Sequence, residues 1–541
     1  MAPDAIAPEI REIERQFDCA YRANPILHVS RSTATWMLLS VFEDVAAEPM
    51  LRGDPPDPQR DSLRANNLLN ALKHPLLWLQ ECPAGRLHAR YTEHCYRGAF
   101  DLLMLGERYN VIETVFVFAS RGYSKLTLEG RRVLPVPLVE ADDARYNAYN
   151  RFRPVGNFDS PQFQRTFASI AERVTVTNDG FRLKLDPKLV AQVMSSYAPA
   201  LDQRFQLPED WRTTRYSFSD LKRVYLVLLA LASIQFHGRL SAVSQGAPGM
   251  GFNNSVLRFG WDELHSRVRR YSGLDGVTVA AVLGDLSYGS RGGATRDPAL
   301  QPLIALGSDT ILLSPSLILC SSHERNHCML LNSIPEEREV YSGLVDQKEA
   351  LMREEIIGAS ACKPYRPFFG VVAGRKELPN IDLALIDDNS KLVLMLELKW
   401  FIAPDEVREV LNRNEELKKG VLQAKLLKQA FGDGTDTVQR TLSVGPDFKC
   451  ECALVSHNWI GGHAVQDDEV PIITLRHLQA ALNKAGSLAD VAAWLAGRGY
   501  LPTEGVHFRV VSNEVSIGEN SAVWWGVEPL ISEAYDAVAS M

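Results

Sequence analysis

The sequence predicts a mixed α/β protein, and three features carry that expectation. Between residues 336 and 500, strand-like and helix-like runs alternate, the pattern of a mixed sheet with helices on both faces. Ahead of it, long stretches of helical periodicity are separated by short hairpins, so the N-terminal and middle segments read as largely α-helical. Beyond Pro502, alternating β patterns recur around Phe508 to Val511 and Val523 to Val527. A chain of 541 residues, 46% of them hydrophobic, can bury a large core and is long enough for several domains. The division expected is 1–155, mostly helical; 156–335, mixed α+β; 336–500, the α/β unit; and 501–541, a β-rich C-terminal extension.

The elements follow in order. In the first part, helical patterns lie near Ala34 to Ala47, Ser62 to Gln80 and Ala99 to Leu105. The proline-rich loop from Gly53 to Pro58 interrupts them, and a hairpin is expected around Glu129-Gly130. The second part opens on Asn178-Asp179-Gly180, a tight-turn triplet between Val174 to Thr177 and Phe181 to Leu185. Ser219 is the expected N-cap of a buried helix running through Val224 to Phe236. Gly246 to Gly251 and Tyr288 to Gly293 are loops, and neither has the order of a phosphate-binding P-loop. A further hairpin crosses Gly307-Ser308-Asp309. The third part reads as helix, hairpin, a helical region from Pro404 to Phe431, a strand near Lys449 to Val455, then Val470 to Thr474 leading into another helix. No internal repeat and no low-complexity tract is visible.

The hairpin of the third part carries the chemistry. Ile381 to Ile386 and Leu392 to Trp400 are apolar, β-favouring runs, and Asp-Asp-Asn-Ser-Lys between them has the composition of a turn. With Asp387 opposite Leu392 around a four-residue loop, Asp382 faces Glu397. Their Cβ atoms would then stand about 4.5 to 5.5 Å apart on one face. Side chains alternate along a strand, so Lys399 shares that face and Leu398 points to the other. The spacers are Leu, Met, Leu and Trp, which makes the strand buried, and buried charges persist where they are paired or hold a metal. A slip of one residue would put Asp382 on the opposite face.

An Asp followed some fifteen residues later by Glu-x-Lys at the end of a hydrophobic strand resembles the restriction-endonuclease-like PD-(D/E)xK phosphodiesterase superfamily, over roughly Val345 to Leu478. The resemblance implies a restriction-endonuclease-like fold there. It implies Asp382 and Glu397 as Mg²⁺ ligands, with Mn²⁺ able to substitute, the Leu398 carbonyl as a further ligand, and Lys399 as the catalytic lysine. Such proteins often carry a Glu on the preceding helix, for which Glu354 or Glu355 stands, and a Gln on the following helix, for which Gln423 stands as a catalytic-site residue. Leu427 occupies the place of the Tyr in the Q-x-x-x-Y exonuclease branch, so the chain departs from that branch. Mg²⁺ takes oxygen ligands and retains several waters, so one or two carboxylates and a substrate phosphate complete its shell. The function so implied is Mg²⁺-dependent hydrolysis of DNA, with RNA the alternative substrate, leaving a 5′-phosphate. By analogy, the large N-terminal region points to bacterial defence against foreign DNA or to DNA repair, and serves substrate recognition, a homodimer or a partner protein. The alternatives are a catalytically inactive nucleic-acid-binding module of the same fold and a zinc metalloprotease.

The last alternative comes from His323-Glu-Arg-Asn-His327, which fits H-E-x-x-H. Ser321 and Ser322 read instead as caps of a short helix that Pro335 soon ends. The net charge of −8 excludes a generic polyanion binder, although Lys348 to Lys428 holds 14 Lys and Arg against 13 Asp and Glu. Arg375, Lys376, Lys418, Lys419, Lys425 and Lys428 are the candidates to meet phosphates, with a solvated face the equal alternative. Arg267, Arg269, Arg270 and Tyr271 read as a solvated helix face, and His457 and His463 as loop histidines. Eight cysteines include no C-x-x-C pair, so no zinc ribbon is expected. The N-terminus lacks a signal-peptide pattern and the apolar run Val224 to Ile234 is too short for a bilayer, so a cytoplasmic protein with free thiols is expected and no membrane partner.

Overall fold

The computed structural model of the chain describes residues 6–53, 58–137, 143–152, 161–178, 180–205, 207–290, 296–307, 309–433, 437–531 and 535–538. Residues 54–57 of the proline-rich loop, Asp179 and Ser308 of two expected turns, and residues 291–293 of an expected loop lie outside the described residues. The strands are, in chain order, β1 (Ser124–Glu129), β2 (Arg132–Pro137), β3 (Val174–Thr177), β4 (Gly180–Leu183), β5 (Leu257–Gly260), β6 (Leu303–Leu306), β7 (Thr310–Leu313), β8 (Arg366–Gly370), β9 (Ile381–Asp387), β10 (Leu392–Lys399), β11 (Lys449–Ser456), β12 (Ile472–Thr474), β13 (Phe508–Ile517) and β14 (Asn520–Pro529).

Asp387 builds the turn on which the main sheet depends. Its carboxylate accepts the Asn389 N–H at 3.0 Å and the Ser390 hydroxyl at 2.7 Å, while Lys391 closes the loop in the left-handed region at φ 53°. Leu392 then pairs with Asp387, and the register continues regularly to Leu396 opposite Leu383, as the sequence predicts. The five-stranded sheet has the order β12-β11-β10-β9-β8, antiparallel at β8, β9 and β10 and parallel from β10 to β12. β8 is an edge strand that the sequence reading had not marked. The parallel step from β10 to β11 is bridged by the Val407–Gly432 helix, as a parallel pair requires. Leu392 to Leu398 are all buried, so both faces of β10 are covered. Met352 and Ile356 of the Pro335–Ser360 helix and Leu478 and Leu482 of the Leu475–Lys484 helix belong to the same core.

A second core surrounds the Phe218–Ser244 helix. Its N-cap is Ser217 rather than Ser219, because Asp220 returns the bond: the Ser217 hydroxyl accepts the Asp220 N–H and the Asp220 carboxylate accepts the Ser217 N–H, at 3.1 and 2.9 Å. The helix outruns the apolar run seen in the sequence and is the one element among the described residues long and apolar enough to cross a membrane. Its most apolar window is 72% buried within the fold, as expected of a core helix.

A third core joins the Arg31–Arg52, Pro58–Trp78 and Glu93–Ser120 helices to Ile304 and Leu312 of the sheet β5-β7-β6. The last of these helices is far longer than the Ala99 to Leu105 pattern. The strands of 501–541 do not stand apart as an extension. β14 pairs in parallel with β2 through Ser521–Arg132 and Ala522–Val133, giving the sheet β1-β2-β14-β13. Val133 and Ala522 share a buried cluster with Phe17 and Phe116.

Charged residues also join the parts. Arg325 lies 3.0 Å from the Asp405 carboxylate and pairs with Glu409, whose carboxylate caps the Val407–Gly432 helix with Glu406. Glu406 in turn holds Lys73 at 2.7 Å. Arg325→Leu leaves two largely buried carboxylates without their cation. The expected cost is on the order of 2–3 kcal/mol, read as a lower denaturant midpoint, with part of it recovered in Arg325→Lys.

Candidate metal-binding acidic site

The site forms where the β9–β10 ladder ends. Beyond the Leu396–Leu383 pair, the Leu398 N–H donates to the Asp382 carboxylate at 2.9 Å instead of to a backbone carbonyl. Asp382 thus lies alongside the Glu397-Leu398-Lys399 segment, and the Lys399 ammonium bonds Glu397 at 2.6 Å. The three residues lie together at the strand end, although the ladder stops at Leu396–Leu383, one pair short of the expected Asp382–Glu397 pairing. Glu397 is 4% exposed, whereas Asp382 is half-buried and the Lys399 side chain 21% exposed, so solvent reaches the cluster over these two rather than over the glutamate. On the other side of β10, the His457 N–H donates to the Lys399 carbonyl at 3.1 Å. Alternation along the strand therefore turns the Leu398 carbonyl toward β9 and Asp382.

A fourth charged group was missed. Glu349, on the Pro335–Ser360 helix, interacts electrostatically with Lys399 and Asp382, and its carboxylate accepts the Trp400 N–H. The preceding Lys348 is 5% exposed and sets its ammonium 3.3 Å above the Trp400 ring, with the Trp211 ring at 5.4 Å. Adjacent residues of the helix thus grip adjacent residues of the strand end. Glu354 and Glu355, the expected helix acids, are both exposed, and Glu355 accepts a hydrogen bond from Gln479 at 3.1 Å. The physical reason is helical phase. Met352 and Ile356 face the core, and Glu349 lies on their stripe at the i, i+3, i+7 spacing, whereas Glu354 and Glu355 fall off it. The inward stripe was a signal already present in the sequence.

Gly420 of the Val407–Gly432 helix is the second residue the sequence reading passed over. A Cβ there would stand 2.5 Å from Leu454 Cδ1, 3.2 Å from Lys399 Cε and 3.5 Å from Glu397 Cγ, so the helix rests directly on the acid and the lysine. Glycine inside a helix costs about 1 kcal/mol relative to alanine, and such a residue marks a close approach. Gln423 is half-buried three residues further on, on the same face of the helix.

Three carboxylates and one ammonium share this pocket. Burial, then the Asp382 charge, push the Glu397 carboxyl from about 4.5 up to about 7. Burial likewise raises Asp382 against the pull of the Leu398 N–H, Lys399 and Arg353, and raises Glu349. For Lys399, burial alone would lower the value, but its pairing with Glu397 and the nearby Glu349 and Asp382 outweigh it and hold it above the usual lysine value. The two partners of the ion pair are raised together, Glu397 mainly by burial and then by Asp382, Lys399 by the carboxylates around it. The lysine stays charged while Glu397 holds its proton unusually long. This surplus of negative charge, on hard oxygen donors that include the Leu398 carbonyl, suits Mg²⁺ or Mn²⁺. Among the described residues no three His, Cys, Asp or Glu side chains make a metal shell by themselves. The carbonyl, water and a ligand phosphate would have to complete it.

The other sequence features lead elsewhere. His327 is fully buried with Nε2 3.0 Å from the Tyr216 hydroxyl, His323 packs against Tyr225 at 4.5 Å between ring centroids, and Glu324 accepts the Leu207 N–H at 2.6 Å. H-E-x-x-H here is occupied with packing and backbone bonding. Of the basic residues expected to meet phosphates, Lys418, Lys425 and Lys428 pair with Glu415, Asp467 and Glu451 at 2.8–2.9 Å, and Arg375 pairs with Glu377. Lys376 and Lys419 are exposed. Arg267 pairs with Glu263, and all eight cysteines are free thiols. Compared with models of protein families, with curated proteins and with solved structures, the chain matches none.

Two expected outcomes follow from this geometry. Glu397 binds its proton more tightly in the native than in the unfolded chain, so it contributes stability below about pH 4.5 that is lost as pH rises to about 7. Melting temperatures of the metal-free protein should decline over that window, the decline should shrink in Glu397→Gln, and added Mg²⁺ should stabilise most above pH 7. Gly420→Val forces the helix off Leu454 and Lys399. A loss of about 1–3 kcal/mol is expected from denaturant titration, together with loss of Mg²⁺-induced stabilisation.

Proposed function

We propose that the chain is a divalent-metal-dependent nuclease of the restriction-endonuclease-like PD-(D/E)xK type that hydrolyses DNA phosphodiester bonds. The observation that carries this reading is the convergence of Asp382, Glu397 and Lys399 at the end of β10, in a pocket with more carboxylates than cations. The order of strands, helix and hairpin around it supports the same fold type: a helix bearing Glu349, the antiparallel β8-β9-β10, the crossover helix and parallel β11.

Asp382, Glu397 and the Leu398 carbonyl would hold the ion, with Glu349 attracting Lys399 from the helix and adding to the negative charge beside Asp382. When bound, a divalent ion supplies neutralisation of phosphate charge and a lowered water pKa. Lys399 keeps its proton at neutral pH, so its role is that of a fixed positive charge beside the reacting phosphate rather than a proton acceptor. The Leu398 N–H bond orients Asp382 before any ligand arrives, and Trp400, held by Lys348 and Glu349, fixes the strand end that presents Lys399. Gln423, one turn beyond Gly420 on the same face of the helix, would contact substrate or orient Lys399.

The test is incubation of purified protein with plasmid, linear duplex and single-stranded DNA, and with RNA, in Mg²⁺ or Mn²⁺. Cleavage is expected to require the metal and to fall by at least about 100-fold in Asp382→Ala and in Lys399→Ala, the scale seen when a group stabilising transition-state charge is removed. Its rate should climb with pH toward about 7 as Glu397 gives up its proton. Cleavage that survives both substitutions refutes the assignment. Binding without cleavage by the wild type points to the inactive module.

A further inference from the structure

β8 is the edge of the main sheet, and its register against β9 breaks beside the site. Phe368 pairs with Ala384 and Gly370 with Ile381, so Leu383 and Asp382 together stand opposite Phe369. Bulges of this kind re-aim side chains and recur next to functional sites. Here the large aromatic ring is turned outward: Phe369 is 52% exposed, and Val371, just past the strand, is 65% exposed. The Arg353 guanidinium lies 4.0 Å from the Phe369 ring centroid. Arg353 also acts electrostatically on Asp382, so ring, guanidinium and acid are neighbours within the reach of one arginine side chain. Among the described residues Arg353 is the one cation against this half-exposed ring, and much of the ring's surface is left to solvent. An aromatic face backed by a cation, one residue from a phosphate-directed acid, is the chemistry that receives an unstacked nucleobase, because every base offers a π-face and the strand carries negative charge.

The geometry points to a single-stranded DNA segment as the substrate of this site, with one base stacked on Phe369 and the adjoining phosphate directed to Asp382 and Lys399. This inference rests on the nuclease reading above and adds the strandedness of the substrate. In an intact duplex the bases are already stacked on one another, and one must be extruded at a cost before Phe369 can receive it.

Affinity for a fluorescent single-stranded DNA oligonucleotide of mixed sequence and for its duplex, measured by anisotropy with Ca²⁺ replacing Mg²⁺ to suppress cleavage, tests it. Wild-type protein is expected to bind the single strand more tightly. Phe369→Ala should lose about ten-fold of that affinity, the scale of one base–aromatic stack, and little of the duplex affinity, while Phe369→Trp should retain both. Phe369→Ala gives up the Arg353 contact, so a small drop in melting temperature is expected to accompany the loss of affinity, whereas Phe369→Trp should keep both. Unaltered single-strand binding in Phe369→Ala, or a wild-type preference for duplex, overturns the stacking role while leaving metal-dependent cleavage to be judged by Asp382→Ala and Lys399→Ala. A wild-type protein that neither binds nor cuts DNA overturns both readings.

Discussion

The register of one hairpin governs the site. Side chains alternate in direction along a strand, so the meeting of Asp382 with Glu397 and Lys399 exists only while Asp387 stands opposite Leu392. The turn enforces this through local chemistry: an Asp carboxylate that takes the Asn389 N–H and the Ser390 hydroxyl, and a Lys391 that tolerates the left-handed region. Burial of Leu392 to Leu398 on both faces gives the register its energetic weight, since a slip would exchange the whole set of residues between two packed layers.

Electrostatics then turns packing into chemistry. A pocket that buries carboxylates in excess of cations is a standing cost, met by hydrogen bonds from the Leu398 and Trp400 amides and by one ammonium. What remains uncompensated is the negative charge on which the proposed metal site rests. The neighbouring carboxylates keep the lysine charged, and burial, aided by Asp382, makes the glutamic acid ionise late. Structural compromise and functional poise are here one arrangement, as perturbed ionisation at functional sites commonly is.

The parts of the chain meet close to this pocket. Trp400, directly after Lys399, packs against both the main-sheet core and the core around the Phe218–Ser244 helix, and Lys348 sits between it and Trp211. On the far side, Lys73 and Arg325 hold the start of the helix that lays Gly420 on the acid and the lysine. The first 335 residues therefore bear mechanically on the strand end and on the helix that define the site.

Much of this was legible in the sequence because it is local. Apolar alternation marked β9 and β10, turn composition set their register, and spacing alone placed Asp382, Glu397 and Lys399 on one face, all before any tertiary contact was considered. What the letters left open was decided by contacts distant along the chain. Glu349 rather than Glu354 or Glu355 reaches the site because the helix docks through Met352 and Ile356. Ser217 rather than Ser219 caps the buried helix because Asp220 answers it. The C-terminal strands complete a sheet begun by residues 124–137 because both bury apolar side chains against the same helices, in a cluster with Phe17 and Phe116. Period and turn chemistry act within a few residues and can be read from the sequence; the phase of a docked helix and the partner of an edge strand are set by which distant surfaces bury each other, and only the folded chain contains that.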